Sequence, residues 1–193
     1  MLYMKNKPVL IGISGGSASG KSTLSRMISE RLENYKSEII NADKYYKRDD
    51  MPQMISPLTG VPGLDWNTPA AIDIDAMLAY LNEKLADASY DFIIIEGAFI
   101  FCYEKLHEMC DLKIFIDLDS DIRMYRRIKR NMAVRGLSLE EIGDYFTEYA
   151  KFSEQKYSLT TKVFADIVVN GHNFDKLALD MLVMYIISKK DQL

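Results

Sequence analysis

The chain has 193 residues, 48% of them hydrophobic and 27% charged, and its formal net charge is -4. This composition is typical of a globular protein with one substantial core, and we expect a single domain over residues 1–193. The acidic balance disfavours a nucleic-acid surface, and no apolar run is long enough for a membrane span or a signal peptide, so we expect a cytoplasmic protein without nucleic-acid or membrane partners.

The first predicted element is a strand that leads into a phosphate-binding loop. Residues 9–13 form a short β-branched run, and residues 15–22 read GGSASGKS, a complete match to the pattern G-x-x-x-x-G-K-[ST]. Apolar residues then recur at helical spacing through Tyr35, which predicts a helix directly after the loop. A glycine-rich turn without a ligand is the alternative, but such a turn needs one glycine and no lysine. We therefore predict an anion-binding loop.

The residue types of this loop suit a magnesium complex of a nucleoside triphosphate. Gly15, Gly16 and Gly20 let the backbone approach a ligand closely, so that successive N–H groups line an anion site. Lys21 can place its ammonium group against the β- and γ-phosphates, and the Ser22 hydroxyl suits Mg²⁺. We predict ATP or GTP with Mg²⁺ as the ligand, and Lys21 as a catalytic residue. The predicted nucleotide contacts in this segment are Gly15, Gly16, Ser17, Ala18, Ser19, Gly20, Lys21, Ser22 and Thr23.

Further apolar runs alternate with segments of helical periodicity along the rest of the chain. We predict five strands, at residues 9–14, 38–42, 92–96, 113–118 and 165–169. Beyond the helix after the loop, predicted helices cover residues 69–88, 120–134, 138–157 and 175–189. Strands separated by helices of this length predict an α/β fold of the P-loop NTPase type, a five-stranded parallel sheet with helices on both faces.

Two carboxylates follow predicted strands, and we expect them at the sheet edge where ligands of such folds bind. Asp43 follows the second strand, and we predict that it orients an acceptor hydroxyl and takes its proton. Glu96 ends the third strand, and we predict that it holds Mg²⁺ together with Ser22. The alternatives are a turn-initiating aspartate and a solvated strand end.

The longest predicted irregular stretch, residues 47–68, contains several prolines and glycines. Loops of this length in compact domains are usually functional or disordered, and we expect this one to face a second substrate. Three aromatic residues lie in or beside it: Tyr45, Tyr46 and Trp66. They could stack on a flat ring, or they could belong to the core.

A dense basic segment begins on the predicted helix at residues 120–134. Its cations are Arg123, Arg126, Arg127, Lys129, Arg130 and Arg135. A solvated helix face is the ordinary interpretation of such a run. In an enzyme of phosphoryl transfer, a small helical lid that closes over the triphosphate would supply guanidinium groups as charge develops. We favour this second interpretation and place the lid at about residues 126–152.

With these elements in place, the chain resembles the uridine kinase family of P-loop nucleoside kinases over about residues 9–187. The motifs that carry the resemblance lie at residues 12–22, 43–46, 95–97, 117–123, 126–130, 135–136 and 161–166. By this resemblance, Asp43 corresponds to the catalytic base, Tyr46 to a tyrosine of the nucleoside site, and Ser22 and Glu96 to the magnesium environment. The resemblance assigns the lid arginines as Arg126, Arg127, Arg130 and Arg135.

The expected ligand contacts outside the loop follow from this resemblance. Arg127 and Arg130 are expected to bind the nucleotide. The expected nucleoside contacts are Asp43, Tyr46, Trp66, Asn67 and Arg135.

Three features depart from the family pattern. Residues 88–91 join a helix directly to the third predicted strand, where the family has a substrate-binding hairpin. Asn67 stands where the family has an aspartate for the ribose hydroxyls, and Lys151-Phe152 stands where it prefers Arg-Pro. In lacking the hairpin, the chain is also similar to the nicotinamide riboside kinases, which phosphorylate another ribonucleoside.

These expectations lead to one main function and to several alternatives. We predict ATP- or GTP-dependent phosphorylation of the 5′-hydroxyl of a ribonucleoside, with uridine as the first candidate and nicotinamide riboside as an alternative. A kinase for a monophosphate or another small metabolite stays open, because Lys44, Lys47 and Arg48 could form a second anion site. A nucleotide-controlled binding switch is disfavoured, since the chain lacks an N-K-x-D segment to read guanine. The resemblance also allows a homo-oligomer.

Overall fold

The computed structural model describes residues 7–190. Its strands are β1 Val9–Gly15, β2 Ser37–Asn41, β3 Gln53–Ile55, β4 Pro62–Leu64, β5 Phe92–Glu96, β6 Leu112–Asp117 and β7 Ile167–Asn170. Its α-helices are α1 Lys21–Arg31, α2 Ile74–Ala86, α3 Glu104–Met109, α4 Ser120–Arg135, α5 Leu139–Tyr145, α6 Lys151–Lys156 and α7 Lys176–Lys190. Five strands form one parallel sheet in the order β2-β5-β1-β6-β7, which confirms the predicted α/β architecture.

The sheet forms where apolar runs require burial on both faces. Every residue of β1 and β5 is buried, so neither strand offers a position to solvent. Because successive side chains of a strand point to opposite faces, Ile11 packs with α1 and α7 while Leu10 packs with α2 and α3. Helices therefore cover both faces, as predicted. Within the described part of the chain, no helix has the length and apolar character needed to cross a lipid bilayer.

The strand order brings three polar segments to one edge of the sheet. β5 lies between β1 and β2, so that Glu96 is in register with both Ile13 and Asn41. The phosphate loop begins where β1 ends, and Asp43 follows the end of β2. Because the strands are parallel, their carboxyl ends open onto the same crevice, where ligands of such folds bind.

The stretch at residues 47–68 contains more regular structure than the sequence indicated. Its strands β3 and β4 pair as a short antiparallel hairpin, with Met54 opposite Gly63. Each strand has only three residues, too few for a periodic pattern to stand out among the prolines and glycines. Gly63 meets a steric requirement there, because a Cβ at this position would lie 2.6 Å from the Tyr149 ring.

Two predicted helices are divided in the structure. The first begins with a 3₁₀ turn at Pro69–Ala71, and α2 starts later, behind Asp73, whose carboxylate accepts a hydrogen bond of 3.0 Å from the backbone N–H of Ala76. The segment predicted at residues 138–157 consists of α5, a π-helical turn at Phe146–Ala150, and α6. The sequence pattern located these helices but did not show where their geometry changes.

Candidate active site

A cavity of about 930 Å³ lies at the carboxyl edge of the sheet. The phosphate loop, the ends of β2 and β5, helices α4 and α5, and residues 171–174 line it. The sequence-predicted site residues that line the cavity are Ser17, Ala18, Gly20, Lys21, Ser22, Thr23, Asp43, Tyr46, Trp66, Asn67, Glu96, Arg127, Arg130 and Arg135. The other predicted loop residues, Gly15, Gly16 and Ser19, are buried and do not line the cavity. The structure thus brings residues from distant segments of the chain to one place.

The phosphate loop takes a backbone path that needs its glycines. Gly15 and Gly20 have φ angles of 147° and 108°, a region that residues with a Cβ rarely adopt. A Cβ on Gly15 would also lie 2.6 Å from the carbonyl oxygen of Ile116. Ala18 is the one non-glycine residue of the loop with positive φ, at 63°. Such strained conformations concentrate at ligand sites.

Lys21 supplies a half-buried cation to the cavity. Its Nζ donates hydrogen bonds of 3.0 Å to the carbonyl oxygens of Gly15 and Gly16. Burial lowers the pKa of Lys21, whereas the carboxylates of Glu96 and Asp43 oppose that shift. The ammonium group is therefore held inside the loop by neutral oxygens, which a more strongly charged ligand can replace.

Ser22 and Glu96 form a pair at the bottom of the cavity. The Ser22 hydroxyl donates a hydrogen bond of 2.7 Å to Oε1 of Glu96, a residue only 3% exposed. Burial raises the pKa of Glu96, and the charge of Lys21 and the Ser22 hydrogen bond oppose this. In residues 7–190, no three or more His, Cys, Asp or Glu residues cluster as a metal site. A cation here would thus depend on a hydroxyl, one carboxylate and ligand oxygens.

Asp43 stands on the short 3₁₀ turn Ala42–Tyr45, directly after β2. The side chain of Asn41 accepts a hydrogen bond of 2.7 Å from the Asp43 backbone N–H and so fixes the start of this turn. The carboxylate of Asp43 is exposed and faces the same cavity as Lys21 and Glu96. Its charge acts to raise the pKa of both these residues, which opposes the shift of Lys21 and adds to that of Glu96.

Aromatic residues form the wall of the cavity opposite the phosphate loop. The Tyr46 hydroxyl donates a hydrogen bond of 2.9 Å to the Trp66 carbonyl, and the two rings meet edge to face with centroids 5.8 Å apart. Burial raises the pKa of Tyr46. Trp66 lines the cavity and keeps 41% of its surface exposed. Tyr45, by contrast, packs against the core under α2, and its interpretation as a core aromatic is the one that fits.

Tyr145 connects α5 to this wall, a role that sequence analysis missed. Its hydroxyl accepts hydrogen bonds from the backbone N–H of Trp66 at 3.1 Å and from the side-chain Nδ2 of Asn67 at 2.9 Å. It also donates one of 3.2 Å to the Leu64 carbonyl. The Asn67 amide is thereby oriented, with its oxygen left for another donor. Asp65 is buried and accepts a hydrogen bond of 2.9 Å from Ser153.

The basic helix α4 is not a uniformly solvated face. Arg123 and Arg127 are buried, at 4% and 9% exposure. Arg126 donates hydrogen bonds of 2.8 and 3.0 Å to the carbonyls of Gly171 and His172, and thus holds the loop after β7. Burial lowers the pKa of Arg127, and desolvation lowers that of Arg130. The solvated-face interpretation is therefore wrong for two of the six cations.

Glu154 and residues 172–174 also line the cavity, and sequence analysis missed both. Glu154 follows no recognisable motif, and its position on α6 becomes informative only when the fold brings it to the phosphate loop. Phe174 packs against the loop, since its ring would lie 3.1 Å from a Cβ on Gly20. No sequence signal distinguishes either segment from ordinary helix and loop residues.

Comparison with known proteins gives consistent relationships. The model of the phosphoribulokinase/uridine kinase family matches residues 68–178. A uridine kinase of Streptococcus mutans is 33% identical, with the alignment covering 93% of this chain and 94% of that protein. The uridine kinase of Streptococcus gordonii is 31% identical over 95% of this chain and 96% of its own length. Uridine kinase-like protein 3 of Arabidopsis thaliana is 29% identical over 96% of this chain and 44% of that protein.

A solved structure adds to these relationships at the level of the fold. A protein described as a candidate fructose transport system kinase from Silicibacter sp. TM1040 has a TM-score of 0.61 and 14% identity, over 88% of this chain and 93% of that chain. At this identity the likeness shows the fold alone. The sequence relatives go further and confirm the resemblance expected from the motifs. The chain belongs to the phosphoribulokinase/uridine kinase family.

Proposed function

We propose that the chain transfers the terminal phosphoryl group of ATP or GTP to the 5′-hydroxyl of a ribonucleoside, as a nucleoside kinase of the cytoplasm. The observation that carries this proposal is that one cavity holds the Lys21 ammonium group, the Asp43 carboxylate and the Trp66 ring. These groups suit a phosphate, the proton of an alcohol and a planar base, respectively. The uridine kinases among the relatives make uridine the first candidate acceptor.

The phosphate loop fits a triphosphate. The positive φ angles of Gly15 and Gly20 shape a loop that N–H groups can line as an anion site. The Lys21 ammonium group donates its hydrogen bonds to carbonyl oxygens of the loop. Arg127 Nη1 is a buried donor without a hydrogen-bond partner. Such a donor is costly unless a ligand oxygen satisfies it. Residues 15–23 would hold the phosphates, with Arg127 and Arg130 above them.

Ser22 and Glu96 fit a magnesium ion that is shared with phosphate oxygens. Hydroxyl and carboxylate oxygens are the ligands that Mg²⁺ prefers, and it usually keeps several waters besides one or two protein ligands. When bound, Mg²⁺ neutralises charge on the phosphate oxygens and orients them. The hydrogen bond between Ser22 and Glu96 keeps both oxygens at the bottom of the cavity.

Asp43 is proposed as the group that orients the 5′-hydroxyl and accepts its proton. The hydrogen bond from its backbone N–H to Asn41 fixes the turn on which the carboxylate stands. Tyr46 and Trp66 would contact the base, and the Asn67 amide oxygen would accept a hydrogen bond from a ribose hydroxyl. Arg135, at the end of α4, would close the site from the lid.

Nicotinamide riboside is the second candidate acceptor. The connection from α2 to β5 spans only residues 87–91, so there is no hairpin at this point to read a pyrimidine edge. The exposed ring of Trp66 suits any flat base, a pyridine as well as a pyrimidine. Shape and stacking would then select the acceptor, rather than base-specific hydrogen bonds.

Measuring product formation with a panel of acceptors tests this proposal. Purified protein is incubated with Mg²⁺ and either ATP or GTP, and with uridine, cytidine, nicotinamide riboside or UMP as acceptor. We expect ADP or GDP and a nucleoside 5′-monophosphate in equal amounts with at least one nucleoside, and no turnover with UMP. Lys21→Ala should reduce kcat about a hundredfold or more, because it removes a charge that stabilises the transition state. The exposed residue Lys105 provides the matched control, Lys105→Ala.

Failure of every nucleoside to raise product above the level without acceptor would overturn the proposal. Turnover with UMP but not with uridine would instead identify a monophosphate kinase.

A further inference from the structure

Glu154 is a buried carboxylate for which the proposed reaction has no assigned role. It stands on α6, is 3% exposed and lines the cavity. Its Oε1 accepts a hydrogen bond of 3.2 Å from the Ser17 N–H of the phosphate loop. Its Oε2 accepts one of 2.6 Å from Nη1 of Arg123. A single carboxylate therefore connects the phosphate loop to α4.

The two arginines beside Glu154 are held differently. Arg123 is fixed on several sides, because it also donates a hydrogen bond of 3.0 Å to the Leu118 carbonyl and packs so closely on Gly16 that a Cβ there would clash with its guanidinium group. Arg127 Nη1 lies 3.7 Å from Oε1 of Glu154 and has no hydrogen-bond partner, although it is buried. The ion pair with Glu154 and the Tyr145 ring, whose centroid is 5.9 Å from the Arg127 guanidinium carbon, thus hold a donor at the cavity wall that has no hydrogen-bond partner.

This arrangement leaves Arg127 able to change its partner. An oxygen of an incoming phosphate could accept the hydrogen bond that Glu154 does not, and hydrogen bonds between ionised groups are the stronger kind. The Glu154 charge also lies at the loop where the phosphates are proposed to bind, so it repels them. Glu154 should therefore oppose nucleotide binding while it keeps Arg127 in the place that phosphoryl transfer requires.

We propose that Glu154 is a positioning residue for phosphoryl transfer. It holds the phosphate loop and Arg123 together. It also keeps Arg127 at the cavity wall until a phosphate oxygen accepts the hydrogen bond from Arg127. The inference rests on the proposed function, since it requires a nucleotide phosphate at the loop. According to this inference, the Glu154 carboxylate weakens nucleotide binding but increases kcat. A purely structural ion pair would instead change binding, turnover and melting temperature in the same direction.

Two variants of Glu154 separate its charge from its position. Glu154→Gln keeps the shape of the side chain and removes the charge. Glu154→Asp keeps the charge but shortens the side chain by one methylene group, which moves the carboxylate away from the phosphate loop and the arginines. Glu140→Gln removes a charge from an exposed position on α5 and is the matched control. The readouts are the Kd of ADP and of inorganic pyrophosphate by calorimetry, kcat at saturating substrates, and the melting temperature.

We expect Glu154→Gln to bind ADP and pyrophosphate about three- to tenfold more tightly, because a nearby negative charge is lost. Its kcat should fall about tenfold or more, since misplacing a group by about 1 Å has large effects on rate. Glu154→Asp should keep the wild-type Kd and still lose kcat. The Glu140→Gln control should match the wild type in both quantities.

Weaker nucleotide binding by Glu154→Gln, or a kcat within twofold of wild type, would overturn the inference. If Glu154→Gln does not fold, Glu154→Asp provides the test. An unchanged kcat in Glu154→Asp would also overturn the inference. A wild-type protein that binds and phosphorylates while both variants behave like the control would refute the role of Glu154 and leave the proposed function intact. A wild-type protein that binds neither ADP nor pyrophosphate would refute both.

Discussion

Two carboxylates of the cavity stand in contrasting environments, and this difference suggests their division of labour. Glu96 is buried and already accepts a hydrogen bond from Ser22. Asp43 is exposed, and its backbone rather than its carboxylate is fixed. A buried carboxylate with a hydroxyl beside it suits a cation, whereas an accessible one can reach the hydroxyl of a second substrate. Local structure thus supports different proposed roles for two similar side chains, cation binding for Glu96 and proton acceptance for Asp43.

Replacing Asp43 by Asn tests its proposed role as the base. The amide keeps the size of the side chain but cannot accept a proton, so kcat should fall about a hundredfold to ten-thousandfold. The Kd of the nucleotide should stay within about threefold, since Asp43 is proposed to contact the acceptor. The measurements are steady-state kinetics with the best nucleoside and calorimetry with ADP. Asp49→Asn, an exposed change in the following loop, is the control.

A kcat within threefold of the wild type would exclude Asp43 as the base. A loss of kcat that comes with an equal loss of nucleotide binding would place Asp43 on the phosphate side of the cavity instead.

At the scale of elements, α5 and the π-helical turn after it are joined to the β3-β4 hairpin by hydrogen bonds from side chains to backbone. The hydroxyls of Tyr145 and Tyr149 donate to the carbonyls of Leu64 and Val61, each at 3.2 Å. The π-helical turn Phe146–Ala150 widens the helix where these contacts are made. If the predicted lid moves, it should therefore carry the hairpin with it, together with the cavity wall that contains Trp66.

These contacts also explain why the sequence did not predict the hairpin. Its strands are stabilised by residues more than eighty positions further along the chain, and three-residue strands carry almost no pattern of their own. The phosphate loop is the opposite case, since its function depends on contiguous residues. Glu154 and Tyr145 could not be predicted for the same reason as the hairpin: each acts across a contact that only the tertiary fold creates.

Two glycines, at the end of α4 and inside α5, provide a matched test of the backbone in the predicted lid. Gly136 ends α4 in the left-handed region, with φ 67°, and a Cβ there would meet no atom within 4 Å. Gly136→Ala should therefore lower the free energy of unfolding by about 1–2 kcal/mol through backbone strain alone. Gly143 lies inside α5 with equally open surroundings. Gly143→Ala should raise the free energy of unfolding by up to about 1 kcal/mol, because alanine favours a helix interior.

Urea denaturation of both variants measures these changes. If both substitutions change the free energy of unfolding in the same direction, packing rather than local backbone conformation determines the stability of this region.

At the scale of the whole molecule, the order of the strands decides which groups meet. The apolar runs showed that a buried parallel sheet forms, but they are too similar to specify their neighbours. β5 lies between β1 and β2 and brings Asn41 into register with Glu96. This register sets the end of β2, and therefore Asp43, beside the Ser22–Glu96 pair. The cavity exists because of a topology that the sequence pattern alone left undetermined.

The same topology places a buried carboxylate, Glu96, and a half-buried ammonium group, Lys21, in the cavity, and their desolvation has a cost for stability. Burial raises the pKa of Glu96 and lowers that of Lys21, so each group is more weakly ionised in the fold than in water. Proteins commonly accept such a cost at functional sites. The charges that would serve a nucleotide and its metal thus destabilise the protein when it carries neither.

Replacing Glu96 by Gln should therefore stabilise the ligand-free protein at neutral pH while impairing its activity. Because the folded-state pKa of Glu96 is raised above its usual 4.5, the folded protein binds more protons than the unfolded chain as the pH rises above that value. The stability contributed by this group is complete below the unfolded pKa and is lost as the pH rises through the folded pKa. Gln does not titrate and can still accept the Ser22 hydrogen bond, so the variant avoids this loss.

Melting curves in EDTA at several pH values between 4 and 8 check this expectation. The variant should melt above the wild type at pH 8, and the gap should narrow as the pH falls towards 4.5. With ADP and Mg²⁺ the order should reverse, because only the wild type retains the carboxylate proposed to hold the metal, and a ligand stabilises the state that binds it more tightly. A gap that does not change with pH would mean that Glu96 affects stability through packing, and a variant that gains as much from Mg²⁺ as the wild type would remove Glu96 from the metal site.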